Sequence, residues 1–361
     1  MKTRRNFYIL LIVCPLLIVF NLMPLYSQAH DIGRGETAAA ELYVQWAENA
    51  IQEGRWEHAL ALLERGDDYE NVSSDLSYLL ARARIQLEKP RGAILDALRR
   101  ALAANRWNNY VPEQARLLEA EQLIVLKSYQ EALNTLTFTG DSPQASSLRM
   151  LALRLIPRND EFIRFTMETL YRFPMETEPV RIFLDYLKIE EAKGNMPRQT
   201  ERAILDLIIS RLPVLIQEDG ELIWMAVPFM RDTLEAARLI AAYRASYEPL
   251  PASIPVALNL GVISERAAME ELFSPENTSS GLDISLLDDV WDLLRNEESR
   301  ILFRNFLGNY TGIISMDFNN DRIPEAHAVY QNGMLISYSY NENQDRLPEL
   351  VVHFRAGEPH Y

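Results

Sequence analysis

Two nonapeptides near the C-terminal end of the 361-residue sequence carry the residues best suited to chemistry. "DFNNDRIPE" occupies 317–325 and "NENQDRLPE" occupies 341–349, an offset of 24. Asp317, Asn319, Asp321 and Glu325 place side-chain oxygens at loop positions 1, 3, 5 and 9, and the Ile323 carbonyl falls at position 7. In the second copy the matching donors are Asn341, Asn343, Asp345, Glu349 and the Leu347 carbonyl. Such hard oxygen donors converge in a tight turn, and calcium accepts six to eight of them at about 2.3–2.6 Å. The second copy has Asn341 where the first has Asp317, so it carries one carboxylate fewer and is the weaker candidate. The same residues also suit an Asx-rich β-turn, in which Asp and Asn bond their own backbone two residues on.

Strands must position these loops. "TGIISM" (311–316) reads as a strand, "AHAVYQNGMLISYSY" (326–340) as a hairpin turning at Asn332-Gly333, and "LVVHFRAGEP" (350–359) as a further strand with a turn at Gly357. The repeating unit is acidic loop, strand, turn, strand, over 310–361. A twelve-residue EF-hand is excluded, because its last ligand would fall on Ala328 or Val352 and its sixth-position glycine on Arg322 or Arg346. The loops resemble the short D-x-[DN]-x-D-G-x-x-[DE] calcium loops of FG-GAP-type repeats over about 311–358, but depart at the glycine. That resemblance implies calcium as the one cofactor.

Upstream, the apolar period is helical. In "AENAIQEGRWEHALALLERG" (47–66), Ala47 and Ala59 are small enough for two helices to cross closely, Gly54 ends the first helix, and Trp56 opens the second. Ala81 and Ala93 follow 34 residues later, with Glu88 and Pro90 in the Gly and Trp positions; Tyr129 and Ala132 mark a third copy after a spacing of 39, so 103–114 holds an insertion or longer turn. The segment resembles the tetratricopeptide-repeat family over about 38–140. From 141 to 273 the 3.6-residue period continues without a recognisable repeat, punctuated by Pro157, Pro174, Pro197, Pro213, Pro228, Pro249 and Pro255. The expected fold is mainly α: a TPR-like α-solenoid of stacked helix hairpins followed by a small antiparallel β-meander. Its expected divisions are a signal peptide (1–29), TPR-like repeats (30–140), continuing solenoid (141–273), a linker (274–282), a helical connector (283–309) and the meander (310–361).

The signal reading rests on Lys2, Arg4 and Arg5, then the apolar "FYILLIVCPLLIVF" (7–20), then a small-x-small cleavage site at Ser27-Gln28-Ala29. Cleavage there removes Cys14, the only cysteine, and three of the 36 basic residues but none of the 51 acidic ones; 33 against 51 leaves a net charge of −18. That balance disfavours nucleic acid and anionic membranes. A membrane is a partner only if the signal stays on.

Function follows as an expectation. Stacked helix pairs offer an extended concave surface for protein or peptide partners without catalytic groups. The leading expectation is a non-enzymatic scaffold in a bacterial periplasm or cell envelope, or secreted. The alternatives are a calcium-dependent adhesin or glycan-binding module using the C-terminal repeats, and an accessory of wall metabolism. HExxH, Walker A, GxGxxG and GxSxG motifs are absent. His327 and His353 fall on strands, and Asp288, Asp289 and Asp292 on one helix, where they read as a solvated face.

Overall fold

The computed structural model of the chain describes residues 38–69, 73–156, 159–247, 250–319, 323–344, 347–355 and 357–360. The expected signal peptide lies outside them. The chain forms two compact units, one ending at Glu119 and one running from Ala120.

The first unit holds α1 (38–52), α2 (Trp56–Asp67), α3 (Ser74–Gln86), α4 (Arg91–Ala104) and the start of α5 (Pro112–Val125). Its core is built of alanines and leucines: Ala47, Ala59, Ala81 and Ala97 are fully buried beside Leu63, Leu76 and Leu98. Small side chains at the crossings let backbones approach, which is the packing expected from the alanine spacing. Trp56 packs against this core while partly buried. Ala93, matched by spacing to Ala59, is only half-buried; Ala97, one turn on, takes the crossing. The insertion is the 105–111 loop, tied to the N-terminus of α3. Ser74 Oγ accepts the Arg106 N–H at 2.8 Å, and the buried Asp75 carboxylate accepts the N–H groups of Asn108 and Asn109. Those donors would otherwise be unpaired.

The second unit continues with α6 (Tyr129–Leu136), α7 (Pro143–Arg154), α8 (Asn159–Arg172), α9 (Thr177–Ala192), α10 (Gln199–Glu218), α11 (Leu222–Ala226), α12 (Thr233–Ser246), α13 (Ile254–Asn259) and α14 (Glu265–Leu272). Here α7 packs on α9 and α9 on α11, while α8 packs on α10. The odd and even helices thus form two layers, as in a stack of hairpins.

One turn recurs through both units. Gly54, Glu88, Lys127, Gly194 and Gly261 all have left-handed backbones, with φ of 73°, 48°, 59°, 80° and 67°. In each, the next N–H reaches back five residues: Arg55 to Ala50, Lys89 to Arg84, Ser128 to Leu123, Asn195 to Glu190 and Val262 to Ala257, at 2.8–2.9 Å. This is the Schellman end of a helix. The spacings are 34, 39, 67 and 67, the last two being double periods. The repeat therefore runs to α13, where sequence similarity alone shows only continuing helices.

Two expectations are corrected. Pro213, expected to punctuate, lies inside α10. Residues 274–282, expected as a linker, form α15 (Pro275–Ser280) and open β1 (Leu282–Asp283). Ser274 caps α15, accepting the Asn277 N–H, and Pro275 suits its first turn.

Beyond α16 (Ile284–Leu293) and α17 (Glu297–Gly308) comes the sheet: β2 (Gly312–Met316), β3 (Ala326–Gln331), β4 (Met334–Tyr340), β5 (Leu350–Arg355) and β6 (Glu358–His360). Strand order is β1 to β6 in sequence; β1 runs parallel to β2 and the rest form an antiparallel meander. The register pairs Ile314 with Ala328 and Ala328 with Tyr338. Burial fades along it: Ile314, Ala326 and Ala328 are buried, whereas β6 is exposed throughout.

Candidate functional site

The C-terminal module presents two features, a groove and the paired acidic loops. The groove, about 580 Å³, lies between α16, α17 and the β2–β3 side of the sheet. Its floor is apolar, with Leu287, Phe303, Leu307, Tyr310 and Tyr330. Trp291 stands at one wall, and two guanidiniums lie over its ring, Arg304 at 5.2 Å and Arg300 at 5.5 Å from the centroid. The pair sits one turn apart on α17, so both reach the same indole ring. Arg300 is anchored by donating from Nε to the Leu294 carbonyl at 3.0 Å, while the Arg304 side chain is 61% exposed. A volume of this size, with apolar walls and a few polar groups, suits a drug-sized ligand or a few side chains of a partner.

The Asn332-Gly333 turn closes one end of the groove. Its φ values of 49° and 72° are those of the hairpin turn expected from sequence. Gly333 N–H donates to the Tyr310 carbonyl at 2.8 Å, and a Cβ on Gly333 would overlap the Gly308 carbonyl.

The acidic loops share one closure. In the first, Glu325 Oε2 accepts the Phe318 N–H at 2.8 Å; in the second, Glu349 Oε2 accepts the Glu342 N–H, also at 2.8 Å. The ninth-position glutamate therefore staples its own loop to the second residue. The loops also touch: Asn341 N–H donates to the Glu325 carbonyl at 2.7 Å, and Gln344 Nε2 to the Ile323 carbonyl at 2.8 Å.

Their environments differ. Glu325 is 1% exposed, and its Oε1 is buried without a hydrogen-bond partner among the described residues. Glu349 is exposed, and its Oε1 accepts from Asn343 Nδ2 at 2.8 Å. Asp317 and Asn319 are partly buried, and Asp317 Oδ1 is out of solvent. Asp321 and Asp345 lie outside the described residues. Among the described residues no three His, Cys, Asp or Glu side chains come together as a metal-binding group.

Two ion pairs join this module to the helices of its own unit. Lys127 Nζ meets Glu342 Oε1 at 3.0 Å, and Lys188 Nζ meets Asp289 Oδ2 at 2.8 Å. Burial opposes the Lys127 charge, but the hydrogen bond and charge of Glu342, with the charge of Glu325 behind them, outweigh it and hold the ammonium above the usual lysine value. Lys188 belongs to α9 and Asp289 to α16, so the second pair links those two helices. The groove was not located in the sequence, where Trp291 reads as a core or groove residue like the other tryptophans. The Arg300/Arg304 spacing on a helix was its one available signal.

No family model matches the chain. An uncharacterized protein of Treponema pallidum (strain Nichols) is 25% identical over 390 aligned positions, which cover 91% of this chain and 48% of that protein. The chain thus spans about half the length of the curated relative it matches. Among solved structures, a tetratricopeptide repeat protein from Parabacteroides merdae is 13% identical, with 74% of this chain and 98% of that one covered and a TM-score of 0.46. MamA from Desulfovibrio magneticus RS-1 is 16% identical over 50% of this chain and 97% of its own, with a TM-score of 0.40. YrrB, described as a TPR protein with an unusual peptide-binding site, is 18% identical over 50% and 87%, with a TM-score of 0.40. At these scores the likenesses carry no argument; the hairpin stack stands on the chain's own turns and packing.

Proposed function

We propose that this chain is a non-enzymatic, exported helical-repeat scaffold that holds a protein partner, with the α16–α17–sheet groove as the grip. The observation that carries the reading is the groove of about 580 Å³ with its apolar floor, walled by Trp291 with the Arg304 and Arg300 guanidiniums over its ring. Apolar rings bury a partner's side chains, and an arginine fork beside them selects a neighbouring carboxylate. The helical repeats supply the rigid frame.

A photo-crosslinking amino acid tests the grip in cells. Placed at Leu307, which lines the groove, it should give partner adducts that vanish with Trp291→Ala and weaken with Arg304→Glu. Placed at Ile301, exposed on α17, it should give none. The same adducts from both positions would overturn the groove as the site. Export is tested separately: N-terminal sequencing of the processed protein should begin at His30, and a chain still beginning at Met1 outside the cytoplasm would refute cleavage.

A further inference from the structure

We propose that the groove's partner is a peptide segment presenting an apolar side chain flanked by an acid and a base, the acid read by Arg304 and the base by Asp288. The proposal rests on the groove reading above and names the chemistry of its occupant.

The groove carries a charge of each sign. Arg304 lines it from α17 and Asp288 from α16. Asp288 stands three residues before Trp291 on α16, so the two side chains share a helix face. The Arg304 guanidinium lies over that same indole, 5.2 Å from its centroid. Carboxylate and guanidinium are thus grouped around one ring.

The fold uses up neither charge. Asp288 is exposed and makes no hydrogen bond or ion pair among the described residues. Its neighbour Asp289 is the contrast, since that carboxylate already takes the Lys188 ammonium at 2.8 Å. Arg304 meets Glu297 only at 3.9 Å, with the two side chains 61% and 67% exposed. A pair so long and so open to water contributes little. Arg300 is different, because its Nε is tied to the Leu294 carbonyl. A guanidinium laid on an indole, with its N–H fork still open, is set to take a carboxylate.

Charge complementarity then fixes the occupant. Phe303, Leu307, Tyr310 and Tyr330 give apolar surface for a buried anchor. The anchor's flanking charges must be opposite to each other, because the groove's are. In an extended segment, residues two apart share a face, so an acid and a base two positions to either side of the anchor reach the same groove. The chain as a whole carries a formal charge of −15, and its long-range field attracts bases and repels acids. The acid at Arg304 is therefore read only at contact, and the base beside it offsets the repulsion on approach.

The test uses the full chain and end-blocked synthetic peptides: Glu-Gly-Phe-Gly-Lys, Glu-Gly-Phe-Gly-Glu and Lys-Gly-Phe-Gly-Lys. Each is titrated against the Trp291 indole N–H resonance, which Trp291→Phe identifies. The mixed-charge peptide should bind about tenfold or more tighter than either like-charged one, and replacing its Phe by Ala should abolish binding. Arg304→Glu should move the preference to the Lys-Lys peptide and Asp288→Lys to the Glu-Glu peptide. Asp289→Asn should leave affinity for the mixed peptide within about twofold. Circular dichroism verifies that each variant folds. Equal affinity for the three peptides, or a preference that the two charge reversals leave unmoved, would overturn the proposal. So would no shift with the mixed peptide while the Leu307 adducts still form in cells, a result that leaves the groove reading intact. Absence of those adducts would overturn both.

Discussion

The two 24-residue copies at the C-terminal end share a loop closure and a turn glycine, yet only the first is built into the core. Glu325 and Glu349 accept the corresponding N–H at the same distance. Gly333 and Gly357 both have left-handed backbones. But Glu325 is buried and Glu349 exposed, and a Cβ on Gly333 would run into Gly308 whereas one on Gly357 would meet nothing within 4 Å. The local hydrogen bonds belong to the nonapeptide itself. What separates the copies is the neighbour: β3 lies next to β2, which packs on α15 and α16, whereas β5 lies two strands out. Closely similar local sequence therefore yields a structural element in one place and a solvated one in the other.

The largest effect that sharpens this contrast is at the turn glycines. Gly333→Val must hold a β-branched residue at positive φ and displace the Gly308 carbonyl, costing about 3 kcal/mol or more. Gly357→Val meets only the backbone strain, about 1–2 kcal/mol. Amide exchange of β3 and β4 should report the first loss and be indifferent to the second; equal losses would dissolve the distinction between the copies.

Next come the staples. Glu325→Ala strands the Phe318 N–H in a part-buried position and should cost about 2 kcal/mol, whereas Glu349→Ala should stay within about 0.5 kcal/mol. Exchange rates of the Phe318 and Glu342 amides read the two directly.

The helical part offers the same kind of comparison. Its recurring turn is filled by Gly54, Gly194 and Gly261 but also by Glu88 and Lys127, and only the glycines are free of steric cost in the left-handed region. Glu88→Gly should therefore raise stability by about 1 kcal/mol, seen as a higher thermal midpoint. Gly54→Ala should lower it by a similar amount. The smallest effect is expected at Lys127→Gln, which removes the pair with Glu342 but keeps the backbone. Both side chains are partly in solvent, 34% and 53% exposed, so about 0.5 kcal/mol or less is at stake, and added salt should shrink it further.

Much of the architecture was legible before any coordinates. The alanine crossings at Ala47, Ala59 and Ala81, the hairpin at Asn332-Gly333, and the change from helical to strand period near residue 310 are all local signals. They act through small side chains, positive-φ turns and apolar spacing, and each carries its meaning within a dozen residues. Two local signals misled. Pro213 is tolerated within α10, and the polar 274–282 stretch, rich in turn formers, caps and builds a short helix because Ser274 and Pro275 stand in the right order.

By itself the sequence determined the repeat of helical hairpins, the meander, and the pair of acidic loops, because propensity, periodicity and turn chemistry are written residue by residue. Only the tertiary structure decided which loop is buried, that Lys127 and Glu342, 215 residues apart, form an ion pair, and that Trp291, Arg304 and Tyr330 share one groove. Those outcomes depend on which strand lies against the neighbouring helices. Burial, unlike turn formation, is a property of the neighbour and not of the segment.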